Sequence, residues 1–245
     1  MGVKESITWA DKTWNPVIGC QNPCEYCYAR KMARRFAGPW AVHEGRFWTA
    51  MGGDPDPGFE ANIREFQPTW VESNWIKYRS FPKKPSRIFV NSMSDIAFWK
   101  RKWMHEVIDV IKMFPQHTFI FLTKDPYCYP KYNFPKNCWL GATATTAGEV
   151  AERGEKLGNM NCWARVFMSI EPIMERIPRN IIKKLDIDWL IVGAETGIRK
   201  GKVVPDPAWI REILHGTSGI PAVFLKNNLR AIYPEIVQEF PEARA

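Results

Sequence analysis

The amino-acid sequence predicts an α/β fold in which parallel strands carry helices on their outer side. Two observations lead there. Short, nearly continuous apolar runs recur along the chain: RIFVNS (87–92), HTFIFLT (117–123), CWLGAT (138–143), RVFMSI (165–170), WLIVGA (189–194) and AVFLKN (222–227). Between them lie stretches whose apolar residues repeat at helical spacing. Strands without polar alternation are buried on both faces, and in a parallel sheet helices provide that cover. Six or seven such units close, or partly close, into a barrel.

Taken in order, the first helix is expected over 27–37 (CYARKMARRFA). A second, over 101–114, aligns Trp103, Val107, Ile108, Ile111 and Phe114 on one face. Others are expected over 146–158, 178–185 and 207–215. Asp206-Pro207 reads as a helix start, with the proline at the first helical position. Residues 38–86 interrupt the alternation with GPWAVHEGRFWTAMGGDPDPGF and a further Trp- and Pro-punctuated stretch ending in FPKKPS. They read as a Trp/Pro-rich insertion at about 38–86, a long excursion within one domain of 1–245.

The bulk properties narrow the setting. No apolar run approaches the ~20 residues of a membrane span. The start, MGVKESITWADKTWNP, lacks the apolar stretch of a secretory signal, and Gly2 with Ser6 fits a myristoylation signal only loosely. A cytoplasmic protein with no membrane partner is the expectation. The formal net charge is +8, a balance that favours polyanions and phosphate-bearing substrates. Basic residues cluster at Arg30, Lys31, Arg34 and Arg35, and again at Lys77, Arg79, Lys83, Lys84 and Arg87.

Of the six cysteines, three fall within eight residues, in GCQNPCEYCYA (19–29). Cys128, Cys138 and Cys162 are scattered. Cys20, Cys24 and Cys27 stand at a Cx3Cx2C spacing. Thiolates are the usual iron–sulfur ligands and a complete 4Fe–4S cluster takes four, so three leave one iron open to a chelating ligand. Structural zinc is the alternative; it wants four ligands, and the only early fourth candidate is His43.

The polar residues at the carboxyl ends of the predicted strands are the other candidates, since active sites of parallel α/β folds form there. They are Asn91, Ser92, Ser94 and Asp95; Thr123 and Lys124; Thr143, Thr145 and Thr146; Ser169 and Glu171; Glu195 and Thr196; and Lys226 and Asn227. Strand-end and helix-cap preferences explain many of them, but Glu171, Glu195 and Lys226 less well.

The Cx3Cx2C motif, with Tyr26 directly before its third cysteine and a βα series after it, resembles the radical S-adenosylmethionine superfamily. The blocks WNPVIGC (14–20), CYARKMA (27–33), RIFVNSMSD (87–95), PQHTFIFLTK (115–124), WLGAT (139–143), SIEP (169–172) and WLIVGAETG (189–197) resemble a phage-associated family named after gene products thirty-seven and sixty-eight. Members of that family often carry a longer gap between the first two cysteines than this chain does. The resemblance implies a partial (β/α)6-type TIM barrel, with a 4Fe–4S cluster and S-adenosylmethionine as cofactors. It also implies cleavage of that molecule to a 5′-deoxyadenosyl radical and an external low-potential electron donor, flavodoxin- or ferredoxin-like.

Under that resemblance, Tyr26 lies near the adenine. Asn91, Ser92 and Asp95 face the methionine ammonium, where the superfamily uses a glycine-rich, acid-ending segment and this chain has NSMSD. Thr143 and Glu171 are candidates for the ribose hydroxyls or the sulfonium side, and Glu195 for the adenine or the substrate. Lys124 and Lys226 suit an anionic substrate group. Cys128, in DPYCYPKY beside Tyr127, Tyr129 and Tyr132, is the thiol candidate for a hydrogen-atom donor. Three functions stay open: a radical enzyme acting on a nucleic-acid base, for repair or modification; one acting on a small molecule, nucleotide or peptide; and a non-enzymatic zinc module that binds nucleic acid or a partner.

Overall fold

The structure is a computed structural model that describes residues 7–160 and 163–241. Cys162, Gly2 and Ser6 lie outside the described residues. The chain divides into two compact units, Ala10–Phe121 and Met1–Trp9 with Leu122–Ala245. Every strand pairing named here is parallel except that of β2 with β3. With helices packed on the strands, the fold class is α/β, built of βα units.

The unit Ala10–Phe121 begins with β1 (Lys12–Thr13) and β2 (Val17–Ile18), followed by helix α1 (Tyr28–Ala50) and helix α2 (Phe59–Glu65). β3 (Thr69–Trp70), α3 (Glu72–Trp75), β4 (Arg87–Phe89) and α4 (Arg101–Met113) follow. β5 (Thr118–Thr123) carries the division between the two units. β1 pairs with β4, and β4 with β5 in the register Ile88↔Phe119, Phe89↔Ile120. β2 pairs antiparallel with β3.

Helix α1 continues well past the expected end at 37, through Gly38 and Pro39, to Ala50. What holds it is packing. Ala29, Ala33 and Ala37 recur every fourth residue, and their small side chains admit Phe59, Ile63 and Phe66 into close contact. Pro39 sits on the exposed side. Residues 38–86 thus contain half of α1, all of α2 and α3, and an aromatic core. Trp14 stacks on Trp75 at 5.4 Å, Trp75 meets Trp70 at 5.0 Å, and Trp70 stacks on Trp103 at 6.1 Å.

Glu44 is a buried carboxylate in this unit. It accepts the backbone N–H groups of Glu72 at 2.8 Å and Ser73 at 3.2 Å, which start α3. A short helix has no internal partner for those first donors. Replacing Glu44 by alanine is expected to cost about 1.5–3 kcal/mol, the range of hydrogen bonds to a charged group. Urea unfolding checks it, with an exposed-site control such as Glu65→Ala expected within about 0.5 kcal/mol of the parent.

The second unit carries β6 (Cys138–Ala144), α5 (Ala147–Gly158), β7 (Arg165–Ile170), α6 (Arg179–Ile182), β8 (Trp189–Val192), α7 (Pro207–Leu214) and β9 (Ala222–Leu225). β6–β7, β7–β8 and β8–β9 pair in sequence order. β8 and β9 are buried at every residue, as expected of strands covered on both faces.

The two faces can be told apart. A Cβ added to Gly154 of α5 would lie 3.8 Å from the end of Met168, so Met168 points to the helices. A Cβ added to Gly141 would collide with the Phe167 ring, so those two share the opposite, inner face. By strand alternation Thr143, Ser169 and Glu171 follow on that inner face toward the carboxyl ends.

Candidate metal centre and strand-end polar groups

The cysteine loop follows the carboxyl end of β1. Its entrance is Gly19, whose φ of +111° lies outside the range of ordinary L residues. A Cβ there would stand 2.0 Å from the carbonyl oxygen of Gln67, so only glycine lets the loop pass this close to that backbone. Gly19 bridges to Ser94 in parallel fashion, joining the loop to the segment after β4.

Cys20, Cys24 and Cys27 are each half-buried and free. The sulfur of Cys20 accepts the N–H of Asn22 at 3.4 Å, and that of Cys27 accepts the N–H of Arg30 at 3.3 Å, capping α1. Burial pushes the Cys20 thiol up to about 12, with Asp95 and Cys24 adding to it, and burial also raises Cys27. A metal that binds here displaces those protons itself. Amide hydrogen bonds to sulfur, partial burial and a positive helix end nearby are what an anionic iron–sulfur group needs. Three thiols supported in this way are the type of donor that iron–sulfur clusters use.

His43 does not join them. It stands on α1 sixteen residues beyond Cys27, about 24 Å along the axis at 1.5 Å per residue. Among the described residues no group of three or more His, Cys, Asp and Glu is placed to hold one metal ion.

A polar scaffold holds the loop. Arg30 donates to the carbonyls of Cys20 at 3.2 Å and Asn22 at 2.7 Å, and lies over the Phe66 ring. Asn22 donates to Asp95 at 2.9 Å. Asn15 joins the Ser92 hydroxyl at 3.0 Å and accepts the N–H of Met93 at 3.1 Å. Tyr28 donates its phenol proton to the Ser92 carbonyl at 2.7 Å. Asp95 is buried and also accepts the N–H of Ala97 at 3.0 Å. The structure therefore brings Ser92 and Asp95 to the cysteine loop, Asn91 donates to the Ser94 carbonyl at 3.4 Å, and Tyr26 lies half-buried within the loop. Asn15, Asn22 and Arg30 are site residues that motif reasoning passed over. Their signal was proximity to the cysteines alone.

In the second unit the strand ends form a separate polar group. Lys226 donates to Glu171, and this ion pair lies over Gly193, where an added Cβ would come within 2.9 Å of Lys226 and 3.3 Å of Glu171. Thr143 and Ser169 are register partners just below. The Ser169 hydroxyl is fully buried without a hydrogen-bond partner among the described residues. Glu195 is buried and takes a two-point pair from Arg199 at 2.7 and 2.8 Å. Asn228 exchanges two hydrogen bonds with the backbone of Ala194, fixing the turn that precedes it.

Lys124 is half-buried and contributes charge at Glu149. Burial pushes the Glu149 carboxyl up, but hydrogen bonds from Thr145 and the charges of Arg153 and Lys124 outweigh it, leaving it below its usual range. Cys128 is buried in the 3-10 turn Pro126–Lys131. Its neighbour Tyr129 donates to the Gly141 carbonyl at 2.7 Å, and Tyr127 is exposed under the Lys156 ammonium at 4.7 Å. Cys138 is a buried core residue, its thiol pushed up by burial.

The Glu171–Lys226 pair makes a stability prediction. Its side chains are only 23% and 15% exposed, so Lys226→Met leaves a poorly solvated carboxylate at a cost of about 2 kcal/mol, below the 3–5 of a fully buried pair. Adding Glu171→Gln removes the stranded charge and is expected to recover at least half of the loss in thermal unfolding.

Over residues 4–226 the chain matches the family described as "Protein of unknown function (DUF5131)". No curated protein matches it. Among solved structures it is similar to spore photoproduct lyase complexed with dinucleoside spore photoproduct. That match has 11% identity and a TM-score of 0.48, and covers 88% of this chain and 63% of that one. A double mutant of the same lyase, with bound AdoMet and dinucleoside spore photoproduct, matches at 12% identity and a TM-score of 0.48. It covers 96% of this chain and 64% of that one. The chain thus spans less than two thirds of the length of these structures.

Proposed function

We propose that this chain, which belongs to the DUF5131 family, is a radical S-adenosylmethionine enzyme. The observation that carries the reading is the Cys20–Cys24–Cys27 loop. It offers three half-buried thiols, two already bonded to backbone amides, behind the carboxyl end of a parallel strand. A 4Fe–4S cluster held there, with one iron free to chelate S-adenosylmethionine, supplies one-electron cleavage to a 5′-deoxyadenosyl radical when reduced.

The chain's own residues have distinct tasks in this reading. Cys20, Cys24 and Cys27 hold the cluster, and Arg30 and Asn22 keep their loop closed. Asn91, Ser92 and Asp95 present carbonyl, hydroxyl and carboxylate oxygens beside it, suited to an ammonium. Thr143 and Glu171 offer a hydroxyl and a carboxylate to ribose or substrate. Lys226 has its charge matched by Glu171, so it orients a polar group rather than capturing an anion. Cys128 is a hydrogen-atom donor only if its turn opens, because its thiol is buried.

The substrate is a small molecule, nucleotide or peptide. A nucleic-acid base draws less support from residues 38–86 than their composition suggests. Trp70 and Trp75 pack into the aromatic core, and Lys83 and Lys84 precede the amino end of β4, away from the strand end that leads to Asn91–Asp95. The phage-associated affiliation rests on the sequence blocks. A cytoplasmic setting follows from the need to keep the thiols reduced, and no helix among the described residues is long and apolar enough to cross a membrane.

The test is direct. The anaerobically reconstituted protein is reduced with dithionite and given S-adenosylmethionine. 5′-Deoxyadenosine is the expected product. A preparation carrying about four irons per chain, the content of one such cluster, that yields none would sink the reading.

A further inference from the structure

We infer that the exposed face at the start of α1 is the docking surface for a small acidic electron-donor protein. The inference rests on the cluster assignment above, because a cluster that is reduced in each cycle needs a donor to reach it.

The surface is built by helix periodicity. Ala29, Ala33 and Ala37 face inward, which turns Tyr28, Lys31, Met32 and Arg35 outward as one stripe, with Arg34 at its flank. Lys31, Arg34 and Arg35 are exposed, and none forms an ion pair among the described residues. The first turn of α1 has no acidic residue. The nearest carboxylates are otherwise placed. Glu60 is paired with Arg64 and Glu44 is buried under α3, while Glu25, exposed just before the helix, has interactions of its own.

Beside the cations two apolar groups are exposed: Tyr28 at 49% and Met32 at 40%. The Tyr28 ring is fixed by its hydrogen bond to Ser92, so covering it costs little ordering. An aromatic and a methionine flanked by cations suit a protein interface facing an acidic partner.

The position suits electron transfer. Tyr28 adjoins Cys27, Lys31 and Met32 lie about 6–8 Å along the axis from it, and Arg35 about 12 Å. A donor seated here would pass one electron to the cluster, being itself oxidised by one. A nucleic acid suits the face less well. It offers three cations on a short stripe with an apolar centre, where duplex binding draws on six to ten phosphate contacts, roughly.

The experiment uses the reconstituted holoprotein and two reductants, a reduced flavodoxin and dithionite. In the triple variant Lys31→Glu/Arg34→Glu/Arg35→Glu, flavodoxin-driven formation of 5′-deoxyadenosine is expected to fall at least about tenfold at low salt. The dithionite-driven rate is expected to stay within about twofold. A milder Lys31→Gln/Arg34→Gln/Arg35→Gln variant should fall between, and added salt should slow the parent with flavodoxin alone. An unchanged flavodoxin-driven rate in both variants overturns the docking surface while leaving the cluster reading intact. So does loss of DNA or RNA binding at an unchanged flavodoxin rate, which would give the face to nucleic acid. If neither reductant yields 5′-deoxyadenosine with the parent protein, the cluster reading fails and the docking surface falls with it.

Discussion

Cys24→Ala is expected to remove the metal and the chemistry together while leaving the fold alone. Two thiolates cannot retain a cluster that three were needed to cradle, so bound iron should drop from about four per chain to below one. No 5′-deoxyadenosine should form. The variant should nonetheless unfold at nearly the parent temperature when both are metal-free. Cys20 and Cys27 pack against the apolar cluster of Ile18, Ala29 and Phe66, whereas Cys24 is not part of that packing. Iron analysis, anaerobic absorption spectra and thermal unfolding read the three effects separately. Cys138→Ala is the control, since Cys138 is a strand residue in the other unit's core and should keep its iron. Full iron retention by Cys24→Ala would overturn the assignment.

Gly19→Ala carries the second large effect, and here both fold and iron should suffer. The backbone at Gly19 has φ +111°, which costs an L residue on the order of 1–2 kcal/mol or more. The new methyl would also overlap the Gln67 carbonyl, a backbone group with no rotamer to escape into. A total loss of about 3–5 kcal/mol is expected, measured by urea unfolding of the metal-free chain. Relief of the overlap must push the loop away from Gln67 and displace Cys20, the next residue. Refolded Gly19→Ala should therefore load iron poorly. An unchanged unfolding midpoint would show that the loop does not run so close to Gln67.

Much of this was legible in the sequence because the strands are apolar throughout and their boundaries are sharp. The predicted runs 87–92, 117–123, 138–143, 165–170, 189–194 and 222–227 each contain a strand, and the helices after Asp206 and Thr146 start where their caps indicate. The first strand left no such trace: Lys12–Thr13 is two exposed polar residues, placed by pairing with β4. The helix through Gly38 and Pro39 was also hidden, because local propensity argued for a stop and packing of Ala29, Ala33 and Ala37 overrode it. The aromatic core of the insert was hidden too, because Trp composition is the same for a stacking platform and a core. Only the Trp14–Trp75 and Trp70–Trp103 contacts distinguish them.

For the candidate site, the three cysteines stand out by spacing, but the residues that hold their loop do not. The Asn22–Asp95 bond spans 73 residues and the Lys226–Glu171 pair spans 55. Long-range partnerships of this kind leave no local pattern. They are what turned Lys226 from an isolated cation into half of a neutral pair.

The bonds that pin the cysteine loop run from Arg30, Asn15, Asn22 and Tyr28 to carbonyls, a hydroxyl, a main-chain amide and the Asp95 carboxylate. None of them needs iron. Under the proposed reading the polypeptide's own side chains, and not the cluster, therefore set the shape of the cradle.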